Sequence, residues 1–577
     1  MNGAKCSAVH GLGWISVLVL ATVVHAGPAD YVFMGGKVYT VNKEQPWAEA
    51  VAVQGKKIVF VGSTSDAKNY IGDQTKIVDL DGKMMLPGFI DSHCHPVVGA
   101  LVTPGAFLQY DSVDEVLKSV KEEADANPDS DLIRGFGWRY ASFPSTGPTK
   151  QMLDEIVPDR PVFLFAIDAH GAWVNSKALE KAGISKDTPD PQPGFSKYQR
   201  DPKTGEPTGY LVEVPAALEV LSKLQIQNRS SVAAALDDLM PKFAAAGITA
   251  IFEAGIQGLS NEDGFGIYLD MEKSGKLPLR IVGSYYHNNP KVDPLPIIKA
   301  NRKAFRGELV QCEVLKINVD GGDAQHTGAY LQPYADKPDT MGLPIFTPQQ
   351  LNDLVTRADA SGIDVHYHAY GDHATRMALD AIEAATKANP KRDRRHTLGH
   401  SMYLKDDDIP RYAKLNAIAQ FSIQWATPDS ANLGLAVERL GERVVYTEFM
   451  RPRSVLNAGG KVTFGTDWPP AGYYSTYKPL EMIQVALTRK MLTGKGLAPV
   501  MPPQDEIITL SQAIEATTLT CAYQIRLEDK VGSIEVGKLA DLVVLGKNLF
   551  DVEPMEISKV KVLMTMMNGK VTHRKGI

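Results

Sequence analysis

Gly88-Phe89-Ile90-Asp91-Ser92-His93-Cys94-His95 is the stretch on which the fold turns. It is a short, mostly apolar run closing in two histidines at i and i+2, with Pro96 directly after them. In a strand, alternate side chains share one side, so both imidazoles aim at one point while Cys94 turns to the opposite, core-facing side. Seven more short apolar runs follow, at 248–253, 280–286, 314–319, 363–368, 395–400, 417–421 and 462–466. Most are separated by segments of helical character, and strands alternating with helices predict a parallel sheet. Eight such units predict an α/β fold, a (β/α)8 TIM barrel. One linking helix is legible in detail. Thr347 caps it, Pro348 suits its first position, and Gln350 completes a capping box. Leu351, Leu354, Val355 and Ala358 then form one apolar stripe, and Gly362 marks a left-handed stop.

Working outward, residues 30–86 alternate Val-, Ile- and Tyr-rich runs with turns, and similar runs return at 539–545, 560–567 and 570–572. Groups this small do not bury a core alone, so the two chain ends are expected to pack together as one β-sandwich, 27–86 plus 531–577. The barrel then occupies 87–530. Its stretch from about 100 to 227 is too long for a single crossover. It carries strand-like runs of its own at 132–138 and 162–167 and a Pro/Gly-rich segment at 189–208, and reads as an inserted lid or specificity subdomain.

The first 26 residues differ from the rest. A lone Lys5 precedes an apolar run over 12–24 that ends in Val24-His25-Ala26, the form of a secretory signal peptide. The run is shorter than the ~20 residues a spanning helix needs, so no stable membrane insertion is expected after cleavage. The mature protein is expected to be exported, periplasmic or secreted. Cys6 leaves with the signal, and Cys94, Cys312 and Cys521 do not form a disulfide framework. Over 577 residues, 61 Lys and Arg stand against 67 Asp and Glu, with no long basic stripe. This charge pattern excludes nucleic acid as an expected partner. A small-molecule substrate is expected instead, and the sequence leaves room for a homo-oligomer.

The 13 histidines are placed unevenly. His93 and His95 close the first run, His366 and His368 the fifth, His400 the sixth, and Gly465-Thr466-Asp467 the eighth. In a (β/α)8 barrel these ends meet at one face, where active sites are built. Four imidazoles and a carboxylate there suit a borderline-soft divalent cation such as Zn²⁺. Lys316, flanked by apolar residues in the fourth run, is costly to bury unless paired or modified. It has two readings: an ion pair with Asp320 or Asp323, or N6-carboxylation to a carbamate that bridges two metals. The second gives two cations an acceptable ligand charge. Glu213 is a rival carboxylate for the bridge. Trp138, Arg139, Tyr140 and Trp468 are candidate pocket residues.

His93-x-His95, Lys316, His368, His400 and Asp467, in that order, resemble the binuclear metal-dependent amidohydrolase superfamily. Pro87-Gly88-Phe89-Ile90-Asp91-Ser92-His93 is similar to its entry into the barrel. Val531-Gly532-Ser533-Ile534-Glu535-Val536-Gly537-Lys538-Leu539-Ala540-Asp541-Leu542 is similar to its return to the sandwich. Asp168-Ala169-His170-Gly171-Ala172-Trp173-Val174-Asn175-Ser176 and Gly205-Glu206-Pro207-Thr208-Gly209 resemble the amidohydrolase-3 branch, which includes N-substituted formamide deformylase. The resemblance implies two divalent metal ions on those six residues and hydrolysis of a C–N bond in an amide, formamide or cyclic amide. It implies Asp467 as the group that moves the proton and His170 as a contact to the substrate or its oxyanion. His366 shares the face of His368 and is expected to support the ligands rather than to be one. Two other readings stay open. One is a one-metal, deaminase-like site on His93, His95, His368 and Asp467; the other is an exported binding or regulatory protein without turnover. No nucleophile elbow, phosphate loop or dinucleotide fingerprint points elsewhere.

Overall fold

Each of the eight apolar runs forms a strand, and the eight lie in one parallel sheet in chain order. They are β1 (Phe89–Cys94), β2 (Ile248–Glu253), β3 (Arg280–His287), β4 (Val310–Asn318), β5 (Val365–Ala369), β6 (Thr397–His400), β7 (Ile418–Phe421) and β8 (Lys461–Phe464). The computed structural model describes residues 27–224, 228–470 and 472–577. The expected signal peptide, 1–26, lies outside the described residues.

The two ends of the sheet, β1 and β8, are joined just beyond their strands. Asp467 N–H donates to His93 O at 2.6 Å, and His95 N–H donates to Trp468 O at 2.8 Å. Gly465 permits this approach, because a Cβ there would stand 2.4 Å from His93 N. Asp91 locks the same seam. Its Oδ1 accepts from Thr466 N–H at 2.9 Å and His93 N–H at 3.1 Å, and its Oδ2 from the Thr466 hydroxyl. The barrel is therefore closed by the residues that flank the candidate ligands.

The helix Pro348–Ala360 follows the reading from sequence. Its capping box is made in both directions, Gln350 N–H to Thr347 Oγ1 at 3.2 Å and Thr347 N–H to Gln350 Oε1 at 2.9 Å. Leu351, Leu354, Val355 and Ala358 are all buried against the barrel. Gly362 has φ +68°, as a left-handed stop requires.

Both chain ends meet in one six-stranded sheet, where Leu542–Leu545 runs antiparallel to Met84–Pro87. A four-stranded sheet from the N-terminal segment faces it, and Phe33, Val51, Val53 and Ile58 share a core with Leu542, Val544, Met564 and Met566. The stretch after β1 builds a six-stranded mixed sheet of its own. Two of its strands, Ile133–Trp138 and Val162–Ala166, lie in the runs read as strand-like. The Pro/Gly-rich segment is less loop-like than its composition suggests, because Lys197–Arg200 and Pro207–Val212 pair there as a hairpin.

Candidate metal centre

The strand ends bring the histidines together by register. Lys316 pairs with His366 and Asn318 with His368 across β4 and β5; Ala369 pairs with His400 across β5 and β6. Lys316 is thus level with His366, and the two imidazoles of His368 and His400 stand at the rim with ring centroids 4.5 Å apart. His93 and His95 reach the same place from the end of strand β1. The strand assignment ends at Cys94 and His95 precedes the helix Pro96–Val102, but His95 keeps an extended φ of −127°. Backbone bonds alternate through it, His93 and His95 to Asp467 and Trp468 on one side and Cys94 to Ala254 on the other. The two rings stand with centroids 5.3 Å apart, and Cys94 is buried and free as expected.

Asp467 is the meeting point. Its Oδ1 lies 3.2 Å from His93 Nε2 and 3.3 Å from His95 Nε2, and its Oδ2 lies 3.8 Å from His400 Nδ1. One ligand atom from each of His93, His95 and Asp467 falls within 4.8 Å of the others. Asp467, His400 and Glu213 all have positive φ, at 57°, 71° and 68°. Side-chain-bearing residues rarely adopt this conformation outside sites where the fold enforces it.

Two of the inward imidazoles, His93 and His368, are held from behind. His93 Nδ1 contacts Gln420 Oε1 at 2.9 Å and His366 Nε2 at 3.0 Å, and His366 in turn stacks on Phe252. His366 accordingly supports a ligand rather than joining the cluster as one, and the residue it supports is His93. His368 Nδ1 faces Asp320 Oδ1 at 3.2 Å, and Asp320 also accepts from the backbone N–H of Ala329, Tyr370 and Gly371. Among the described residues His95 Nδ1 has no hydrogen-bond partner, nor has Glu253 Oε1, and these two atoms lie 3.9 Å apart. The other Glu253 oxygen accepts from Tyr268 Oη at 2.6 Å.

Lys316 is buried with its Nζ 3.1 Å from His93 Nε2. The ion pairs considered for it are not formed. Asp320 serves His368, while Asp323 accepts from the hydroxyls of Tyr370 and Tyr403. Glu213 is also occupied: it holds His170 Nδ1 at 2.7 Å and accepts from the Thr327 hydroxyl. His170 enters the cleft from the insertion, its ring centroid 5.5 Å from that of His368.

Burial dominates the electrostatics. It drives His93, His366, His368 and His400 well below the usual imidazole range, with neighbouring cations adding to the effect, so their lone pairs are free to donate. The same burial pulls Lys316 down to about 7 and pushes Glu253 up to about 8. His170 goes the other way. Burial lowers it, but the Glu213 carboxylate, with Asp168 and Asp467, outweighs that and raises it to about 9. Neutral imidazoles around one carboxylate, with His400 Nε2 buried and unpartnered, fit a divalent cation.

Two cavities open from Asp467 and share His170 and His368. One is walled by Val98, Leu101, Phe165 and Leu218, the other by Arg139, Tyr140, Tyr370, Trp425 and Tyr473. Trp138 and Trp468 are packing residues: Trp138 is fully buried, and Trp468 lies against Gly99, where a Cβ would be 1.9 Å from its ring. Sequence reasoning missed Glu253, Gln420, Tyr370 and Trp425. Glu253 and Gln420 carried a signal, each a lone polar side chain in an apolar strand; Tyr370 and Trp425 follow strand ends, with nothing local to single them out.

The amidohydrolase family model matches residues 76–573. The chain is 30% identical to the putative amidohydrolase YtcJ of Bacillus subtilis, covering 94% of this chain and 99% of that protein. It is 26% identical to N-substituted formamide deformylase of Arthrobacter pascens, covering 95% and 98%. The crystal structure of an uncharacterized metal-dependent hydrolase from Pyrococcus horikoshii has the same fold, with a TM-score of 0.69 at 22% identity over 91% of this chain and 99% of that one. The histidine cluster at the barrel mouth and this match along nearly all of the described chain lead to one assignment: the chain belongs to the amidohydrolase family.

Proposed function

We propose that this protein hydrolyses the C–N bond of an amide, formamide or cyclic amide, using two divalent cations held by His93, His95, Lys316, His368, His400 and Asp467. The observation that carries this reading is the position of Asp467, one oxygen against His93 and His95 and the other facing His400. Bound there, Zn²⁺ or a similar cation lowers the pKa of water and polarises the substrate carbonyl. Asp467 accepts the proton of the attacking water and passes it to the departing amine. Lys316 is poised to become an anionic ligand: with its ammonium pulled to about 7, a large fraction is free amine at neutral pH, the form that adds CO2 to give a carbamate. His170, kept cationic by Glu213, stabilises negative charge as it develops on the substrate oxygen. The relative from Arthrobacter pascens, named for deformylation, supports a C–N substrate. Export as a mature protein, cleaved after residue 26, is part of the same reading.

The test is metal counting combined with a hydrolysis panel of amides, formamides and cyclic amides. Two equivalents per chain and turnover of at least one class are expected. Lys316→Ala should lose a metal and its activity, with partial recovery on adding a short carboxylic acid. Full activity with one equivalent would favour a one-metal, deaminase-like site. That alternative has its own support, because His93, His95 and Asp467 form the tightest ligand group by themselves.

A further inference from the structure

Beside the cavities at Asp467 lies an adjoining chamber that the chemistry above does not use. The spaces at the histidines and beside Tyr370 are small, about 60 Å³ and 80 Å³. The outer chamber is about 530 Å³, within the ~300–1,000 Å³ typical of ligand pockets. It shares Tyr140, Ala324 and Leu435 with the cavity beside Tyr370, which in turn shares Asp467 with the metal centre. Side chains stand between them: Tyr140 Oη and Gln325 Nε2 both donate to Asp168, at 2.8 Å and 2.7 Å, and Gln325 Oε1 is buried with no partner among the described residues.

The chamber has its own chemistry. Tyr140, Phe143 and Tyr210 wall one side, all from the insertion. Lys197, Lys337 and Arg439 line it together with Asp336 and Glu438, three cations and two carboxylates. Both carboxylates are taken up by Arg439 through Nη1 alone. Its Nε is buried with no partner, although the side chain is only 6% exposed. Among the described residues, Lys197 and Lys337 have no ion-pair partner; burial lowers Lys197, and Lys337 lowers it further. His326 adds no charge: burial holds it below its usual value, and its Nε2 contacts Asp336. The lining therefore carries one uncompensated positive charge beside aromatic walls.

We propose that this chamber binds the far end of an elongated substrate, a carboxylate carried beyond the scissile C–N bond and held by Lys197, Lys337 and Arg439. The proposal rests on amide hydrolysis at Asp467. A carboxylate fits the single excess charge, whereas a phosphate dianion exceeds it. An Arg and two Lys are the donors that charge-assisted recognition of a carboxylate uses. The aromatic side of the chamber accommodates the linker, and the small cavity at Val98 and Leu101 accepts the other substituent of the scissile group.

The test uses the full mature chain and two matched series of probes with increasing linker length. Each probe has the amide replaced by an unreactive ketomethylene unit and ends in either a carboxylate or a neutral primary alcohol. Kd is measured by calorimetry for the wild type and for the Lys197→Ala/Lys337→Ala double variant, whose side chains are at the exposed rim. Beyond a minimum linker length the wild type should bind the acid at least tenfold tighter than the alcohol, and the double variant should lose that preference. Equal binding of acid and alcohol, no measurable binding of any acid, or a preference that survives the double substitution would each overturn the assignment. Turnover of the corresponding amide with the alcohol end is followed separately. Its failure would count against the hydrolase reading, while the Kd comparison still decides the chamber.

Discussion

The two ends of the barrel bury charge in opposite ways. At the end where the strands begin, Arg280 of β3 is buried against Asp541 and Asn568 of the sandwich. Around the start of β5 and β6, Arg394 binds Asp359 with two nitrogens, at 3.0 and 2.9 Å, and Asp364 is met by Arg392 and Arg526. Those groups have partners, and the attraction of Arg392, Arg526 and His396 outweighs burial to hold Asp364 below the usual carboxylate range. At the other end, imidazoles are packed against imidazoles and against Lys316, and among the described residues His95 Nδ1, Glu253 Oε1 and His400 Nε2 have no hydrogen-bond partner. A paired cluster holds a fold together; a crowded and unpaired one needs something else to complete it. The difference separates residues of stability from residues of chemistry within one sheet.

The sharpest way to break this comparison is to remove one charge from each end. Asp467→Ala should reduce kcat/KM by on the order of 10³ or more while leaving the melting temperature nearly unchanged. Arg280→Ala should do the reverse. Leaving Asp541 buried without its partner should cost about 3–5 kcal/mol in denaturant unfolding, with near-normal turnover per folded molecule. An Asp467 variant that fails to fold, or an Arg280 variant that folds well but is inactive, would erase the distinction.

Smaller changes sharpen it. Glu253→Gln keeps the shape but removes the carboxylate facing His95, and should weaken Zn²⁺ binding by about 10–100-fold in a competition titration, the range for a group that orients a metal-binding histidine. The His170–Glu213 pair contributes in a defined pH window. Because folding raises His170 from its ordinary 6.5 to about 9, its stabilisation is complete below pH 6.5 and is lost as pH rises through 9. The stability gap between wild type and Glu213→Gln should therefore be widest near pH 6, on the order of 1–3 kcal/mol, and close by pH 10. A gap independent of pH would show that Glu213 acts through packing alone.

The barrel was legible because its signals are local. Eight apolar runs, a capping box at Thr347 and histidines at the ends of runs can all be read within a few residues. What supports the histidines was not legible. Gln420 reaches His93 across 327 residues and Asp320 reaches His368 across 48, and only strand register decides those partners. The i, i+2 alternation of His93 and His95 was legible too, although Pro96 starts a helix directly after it. The hairpin Lys197–Arg200 with Pro207–Val212 was hidden by Pro and Gly in its connecting turn, because composition reports the turn and not the strands it joins.

Anomalous diffraction from crystals of the Zn²⁺-loaded mature protein, recorded above and below the zinc edge, tests the central claim most directly. Two peaks are predicted, one against His93 and His95 and one against His368 and His400, with Asp467 beside the first and extra density continuous with Lys316 Nζ. A single peak with an unmodified Lys316, or zinc bound away from Asp467, would contradict the account.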